Sequence, residues 1–294
     1  MFGADLNASY YTIEQPYTLM YTTASQASYI IETAPSVDFS GNEELRNAYM
    51  GEAYFWRAFA HYYLLINFRN ISPIRQMPRN GDDYVRPLEK PAAVWNFIQE
   101  DLAHAKELLP VKGYWDSKNA GRVTKASAAA LLGKAYLYRS GIEQYYGEDK
   151  TTFYSEAAKE FGDVIDGKYG TYDLTKNYAD NFDVAHENNE ESILEFQFLG
   201  DVDNAGFNPG LATSGLAFDS RGLMLPGAGV GYEGVVHNWL YNAFVNSVDK
   251  DGYTDIRMFS TMIFNDLDAS IHLRNDAGGN PVRCLLYTSD AADE

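Results

Sequence analysis

The residue types able to carry covalent chemistry are few and scattered in this sequence. Its five histidines, His61, His104, His186, His237 and His272, form no H-E-x-x-H and no short-spaced pair, so no histidine-built metal centre is expected. The single cysteine, Cys284, excludes an internal disulfide. No G-x-S-x-G elbow presents a serine nucleophile. No G-x-x-x-x-G-K-[ST] loop cradles a phosphate, since Gly133-Lys134 falls inside a helical pattern. Asp249, Asp251 and Gly252 hint at a calcium loop, but Met258 stands where an EF-hand needs its bidentate glutamate. The 41 Asp and Glu residues are too many to single out a glycosidase pair, which must flank one bond. Glu187, Glu190 and Glu191, beside Asn188 and Asn189, read as a solvated turn, and Glu52 and Arg57 as structural charge contacts. No catalytic residue, cofactor or metal is expected.

The composition favours non-covalent recognition instead. With 23 Tyr, 16 Phe and 4 Trp, the chain is rich in rings that offer a flat apolar face at low entropic cost. A sugar site needs such faces for the C–H side of a ring, and amide, hydroxyl or guanidinium groups for its hydroxyls. Trp56, Trp95 and Trp239 fall on helical faces and are assigned to the core, while Trp115, beside Tyr114, lies in a polar loop. The residues expected to touch a ligand are Tyr84 on a long inserted loop, with Phe207, Asn208, Phe218, Arg221 and Tyr232 in an irregular stretch. A net charge of −18 without a compact Lys/Arg cluster argues against nucleic acid.

These residues must be positioned by a mainly helical chain. Thr18 to Ile31 reads as a helix ending before Pro35. Ser40 and Glu43 fit a capping box for a long helix to Phe68, with Leu45, Tyr49, Trp56, Phe59, Ala60, Tyr63 and Ile66 as its core face. Pro91 opens the next helix, which stops at Pro110. A small-residue helix follows between Gly121 and Gly141, then FYSEAAKEFGDVI. ILEFQF (193–198) alternates like a short strand, and 235–248 is helical again. No run is long enough to span a membrane, because Arg57, His61 and Lys134 interrupt the most apolar stretches.

Two units follow the tetratricopeptide sense of large, large, small, aromatic, then Ala-x3-Phe. Trp56, Phe59, Ala60 and Tyr63 precede Ala93 and Phe97; Ala129, Leu132, Gly133 and Tyr136 precede Ala157 and Phe161. Antiparallel stacking then sends loops 69–90 and 141–152 to one end and the 110–123 connection to the other. Insertions on one face of a repeat array are where binding usually lives.

EAYFWRAFAHYYL (52–64), GRVTKASAAALLGKAYLY (121–138), NFDVAHENNEESILEFQF and the DIR of 255–257 together resemble the SusD/RagB family of outer-membrane glycan-binding lipoproteins. The resemblance runs from about residue 40 to 260. One departure is FRNISP (68–73), where Arg69 replaces the family's usual glycine and an extra residue precedes Pro73. The resemblance implies a SusD-like fold of tetratricopeptide-like helix pairs with long inserted loops and a few short strands. It divides residues 1–282 into a helical core of about 40–170 and an irregular ligand-side region of about 171–282. The tail 283–294, RCLLYTSDAADE, resembles a translated sequencing adapter and is set aside.

The implied function is non-catalytic capture of an oligosaccharide at the outer-membrane surface and its delivery to a TonB-dependent SusC-type transporter. The family's lipid anchor and much of its C-terminal sequence are expected to lie outside this chain. A helical-repeat adaptor for protein partners and a helical glycoside hydrolase are the alternatives, distinguished by peptide binding and by turnover.

Overall fold

The computed structural model describes residues 11–81, 85–147, 151–182, 184–197, 238–255 and 257–258. The chain divides into two compact units, Met1–Asp173 with Ser192–Glu195, and Leu174–Glu191 with Phe196–Glu294. The first unit holds α1 (Tyr11–Thr33), α2 (Glu43–Phe68), α3 (Pro91–Leu108), α4 (Lys125–Tyr146) and α5 (Tyr154–Ile165). Each helix packs on the next in order, an antiparallel array of the tetratricopeptide kind. The second unit holds the 3-10 turns Tyr178–Phe182 and Val184–His186 and the helix α6 (Asn238–Asn246).

Helix ends differ from the sequence reading where two signals compete. The cap of α2 is Asn42, whose Oδ1 accepts the Leu45 N–H at 3.0 Å, and not Ser40, which sits at φ 54 in the preceding turn. Helix α1 begins at Tyr11 rather than Thr18, carrying Pro16 inside it at the cost of one backbone hydrogen bond. Helix α4 starts at Lys125, with the Thr124 N–H donating to Ser127 Oγ at 3.2 Å. It runs past Gly141 and stops only at Gly147, whose φ of 70 is the left-handed cap that ends helices.

The main core is built from Phe55, Tyr62, Leu64, Trp95, Ile98, Leu102 and Leu132, on α2, α3 and α4. The face of α2 expected to be innermost is one flank of it: Tyr49, Trp56, Phe59, Tyr63 and Ile66 are only half-buried, and Phe55, Ala58, Tyr62 and Leu65 lie deeper. The reason is that α2 is clasped between α1 and α3 and so buries more than one stripe.

ILEFQF forms no strand over its described residues; β-pairing among the described residues is confined to three isolated bridges. Its apolar residues pack on helices instead. Ile193 joins Ala126, Ala129, Val164 and Tyr169, its carbonyl accepting Ser127 Oγ at 2.9 Å, and Leu194 rests on the main core.

Candidate functional site

The connection from α2 to α3, residues 69–90, is the long insertion of the first helix pair. At its root the Arg69 guanidinium meets Glu143 of α4, with Nη2 to Oε2 at 2.8 Å, and covers the Tyr146 ring at 4.0 Å. This contact places the start of the insertion and the C-terminal end of α4 at the same end of the stack, as antiparallel packing requires. At the other end the Lys112 N–H donates to the Tyr169 carbonyl at 3.0 Å, joining the 110–123 connection to the turn after α5.

From its root the insertion folds back along α1 as a strap. The Ser72 N–H donates to Tyr21 Oη at 3.2 Å, the Ile74 carbonyl accepts Ser28 Oγ at 3.3 Å, and the Met77 N–H donates to Glu32 at 2.7 Å. Beneath it, buried polar groups of α2 satisfy the strap's backbone. Arg57 Nη1 donates to the Arg75 carbonyl at 2.8 Å, and the Ile74 N–H donates to His61 Nε2 at 2.9 Å. The second nitrogen, Nδ1, then carries the proton and donates to the Arg57 carbonyl at 2.7 Å, which fixes the tautomer. Burial holds the His61 pKa down at about 4, so the imidazole is neutral at pH 7.

Irregular backbone thereby becomes a braced surface. The returning limb is tied by Glu89 N–H to the Ile71 carbonyl at 2.9 Å and by Ser72 Oγ to the Arg86 carbonyl at 3.0 Å. Between strap and helix lies a polar cleft of about 450 Å³ lined by Glu32, Gln76, Met77, Arg79 and Arg86. Arg79 Nη2 donates to Glu32 at 2.7 Å, and this bond, with the Met77 N–H, holds the Glu32 carboxyl below its ordinary range. Guanidinium forks, a fixed carboxylate and an amide supply the donors and acceptors that vicinal hydroxyls require.

A second hollow of about 460 Å³ lies between α1 and α2 and is lined by Phe39, Tyr49, Trp56, Glu52 and Arg122 among others. Its polar groups are spent on structure. Arg122 is sandwiched at 4.6 Å from the Tyr49 ring and 4.5 Å from the Trp115 ring, and its Nε donates to Glu52 at 2.8 Å. The hollow is chiefly apolar and pins the 110–123 connection to α2.

All six expected contact residues lie outside the described residues: Tyr84 within the insertion, and Phe207, Asn208, Phe218, Arg221 and Tyr232. Trp95 is buried as assigned, with its Nε1–H donating to Glu143 at 2.8 Å, and Trp56 is half-buried. Trp239 is 69% exposed and is not a core residue, because α6 buries none of its side chains among the described residues. Glu52 and Arg57 make structural ion pairs, with Arg122 and Asp101, as the sequence suggests. In the second unit Glu191 is no free solvated carboxylate: it accepts Asn181 Nδ2 at 3.0 Å and the Thr175 N–H at 3.2 Å. Asp249 caps its own turn through the N–H groups of Asp251 and Tyr253, and no cluster able to hold a metal occurs among the described residues. Sequence reasoning missed Glu32, Gln76, Arg79 and Arg86. Three arginines between the prolines of one insertion were the available signal.

Comparison with known proteins agrees with this architecture. A SusD-like family model, described as starch-binding and associating with the outer membrane, matches residues 3–137. A SusD-like protein of Bacteroides ovatus is 29% identical over 180 residues, covering 61% of this chain and 32% of the relative. Among solved structures, a laminarin-binding SusD-like protein is 28% identical with a TM-score of 0.52, over 62% of this chain and 37% of that one. A structure with a xylogluco-oligosaccharide is 26% identical with a TM-score of 0.54, over 66% and 37%. A SusD-like protein of Bacteroides fragilis, 22% identical with a TM-score of 0.55 over 66% and 35%, shares the fold. The chain thus spans about a third of the length of these relatives. Over its helical residues the chain is thus similar to SusD-like proteins and shares their fold.

Proposed function

We propose that this chain binds an oligosaccharide without cleaving it, at the outer-membrane surface, and delivers it to a TonB-dependent SusC-type transporter for uptake. The observation that carries the reading is the strap 71–79, an irregular insertion held by Ser28 and Glu32 of α1 and by the buried Arg57 and His61 of α2, over a cleft rich in guanidinium and carboxylate groups. A surface braced in this way costs little further ordering when a ligand arrives. Tyr84, in the same insertion, is proposed to supply the aromatic face, with Phe207, Asn208, Phe218, Arg221 and Tyr232 as further contacts. The relatives described as binding laminarin and as holding a xylogluco-oligosaccharide make β-glucans the first ligands to try.

The test is isothermal titration of the full chain with laminarin, xyloglucan and starch oligosaccharides, alongside an assay for released reducing ends. Saturable binding of one glycan without turnover is expected, weakened by Arg79→Ala and by Tyr84→Ala. A folded chain that binds none of them, or that hydrolyses one, would overturn the proposal.

A further inference from the structure

The insertion begins in a backbone conformation that few side chains tolerate. Arg69 has φ 57 and ψ −64, and the Asn70 N–H closes on the Phe68 carbonyl at 2.7 Å, so Arg69 is the centre of the rare, strained form of the γ-turn. Glycine is the residue suited to such a position. A strained turn persists only where its surroundings over-determine it.

The surroundings here are specific. Arg69 Nη1 and Nη2 donate to the two oxygens of Glu143 at 3.1 and 2.8 Å, a bidentate pair. The Glu143 side chain is wholly buried, and Oε1 also accepts the indole N–H of Trp95 on α3 at 2.8 Å. On its other side the guanidinium lies over Tyr146, in the last turn of α4. One arginine therefore joins the end of α2 to α3 and α4, and it does so at the residue from which the strap departs.

We infer that Arg69 is a positioning residue: its clamp on Glu143 sets the direction in which the strap 71–79 leaves α2, and so preforms the cleft beside Glu32. The part of this inference that concerns ligand rests on the glycan-binding reading above; the part that concerns the strap does not. A buried carboxylate without its cation is costly, so loss of Arg69 also removes the reason for α4 to hold its last turn against the root of the insertion.

Arg69→Gly separates clamp from turn, because glycine keeps the backbone conformation and deletes the guanidinium. Hydrogen exchange on the full chain should show the amides of Ile74 and Met77 opening about tenfold more often in this variant, with the α3 and α5 amides unchanged. Arg69→Lys, which keeps the charge but not the fork, should fall between the two. For whichever glycan the wild-type chain binds, Kd should rise about fivefold in Arg69→Gly and less in Arg69→Lys. Glu143→Gln, which leaves packing and the Trp95 bond in place, should reproduce the Arg69→Gly exchange pattern if the glycine variant folds poorly. Unchanged strap exchange in both Arg69→Gly and Glu143→Gln would overturn the inference. A wild-type chain that binds no glycan would overturn the ligand reading alone, since the exchange result stands without it.

Discussion

The Phe161 ring of α5 lies so close to Gly133 of α4 that a methyl group there would stand 2.8 Å from its Cε1 atom. The small position of the second repeat unit is thus filled by the aromatic of its partner helix, a packed contact of the kind that leaves no room for growth.

Two glycines of α4 should respond in opposite senses to the same change. Gly133→Ala gains helix propensity but drives the ring aside, and should destabilise the chain by about 1–2 kcal/mol. Gly141 is also helical, and an added Cβ there meets nothing within 4 Å. Gly141→Ala should therefore stabilise by about 0.5–1 kcal/mol, through helix propensity alone. Chemical denaturation of the two variants beside wild type measures both.

The buried imidazole of His61 makes a prediction about acid. An unfolded histidine takes its proton near 6.5, whereas the native one resists protonation until about 4. Below the upper value the unfolded chain binds more protons, so stability is fully present above pH 6.5 and drains away as pH falls toward 4. The loss across that window amounts to roughly 3 kcal/mol. His61→Gln can still accept the Ile74 N–H but does not titrate, so its urea midpoint should vary less between pH 7 and 4.5 than that of wild type. Parallel pH profiles would sink the assignment of a neutral His61.

Much of the scaffold is legible in the sequence because its signals are short-range. Gly133 and Phe161 belong to a repeat pattern, and Pro91 opens α3 where it stands. Errors arise where a local signal has more than one use. Gly141 sits within a helix that its neighbours sustain, while Gly147 adopts the left-handed conformation that stops it. The apolar run at Ile193 and Leu194 supplies helix-packing side chains and pairs with no strand. The cleft is the least legible part, because Glu32 and Arg79 are 47 residues apart and meet only when the insertion folds back along α1. Periodicity carries no information about that path.

Beneath the strap, Arg57 and Asp101 form a buried ion pair, with Nε to Oδ2 at 2.7 Å and Nη2 to Oδ1 at 2.8 Å. Both side chains are less than a tenth exposed, at 8% and 3%. Arg57 also holds the Arg75 carbonyl, so the pair joins α2, α3 and the insertion. Arg57→Met should strand a buried carboxylate and an unpaired carbonyl, costing about 3–5 kcal/mol. Asp101→Leu should cost a similar amount, by leaving the guanidinium buried without its counter-charge. Because each single change includes the expense of an orphaned charge, the double variant should lose much less than the sum of the two. A double-mutant cycle by denaturant unfolding reads this coupling directly, and additive losses would mean that the two residues act independently. The same cycle followed by exchange of the Met77 amide separates stability from placement. If the pair serves the strap, that amide should open faster in Arg57→Met than in a destabilised control such as Gly133→Ala.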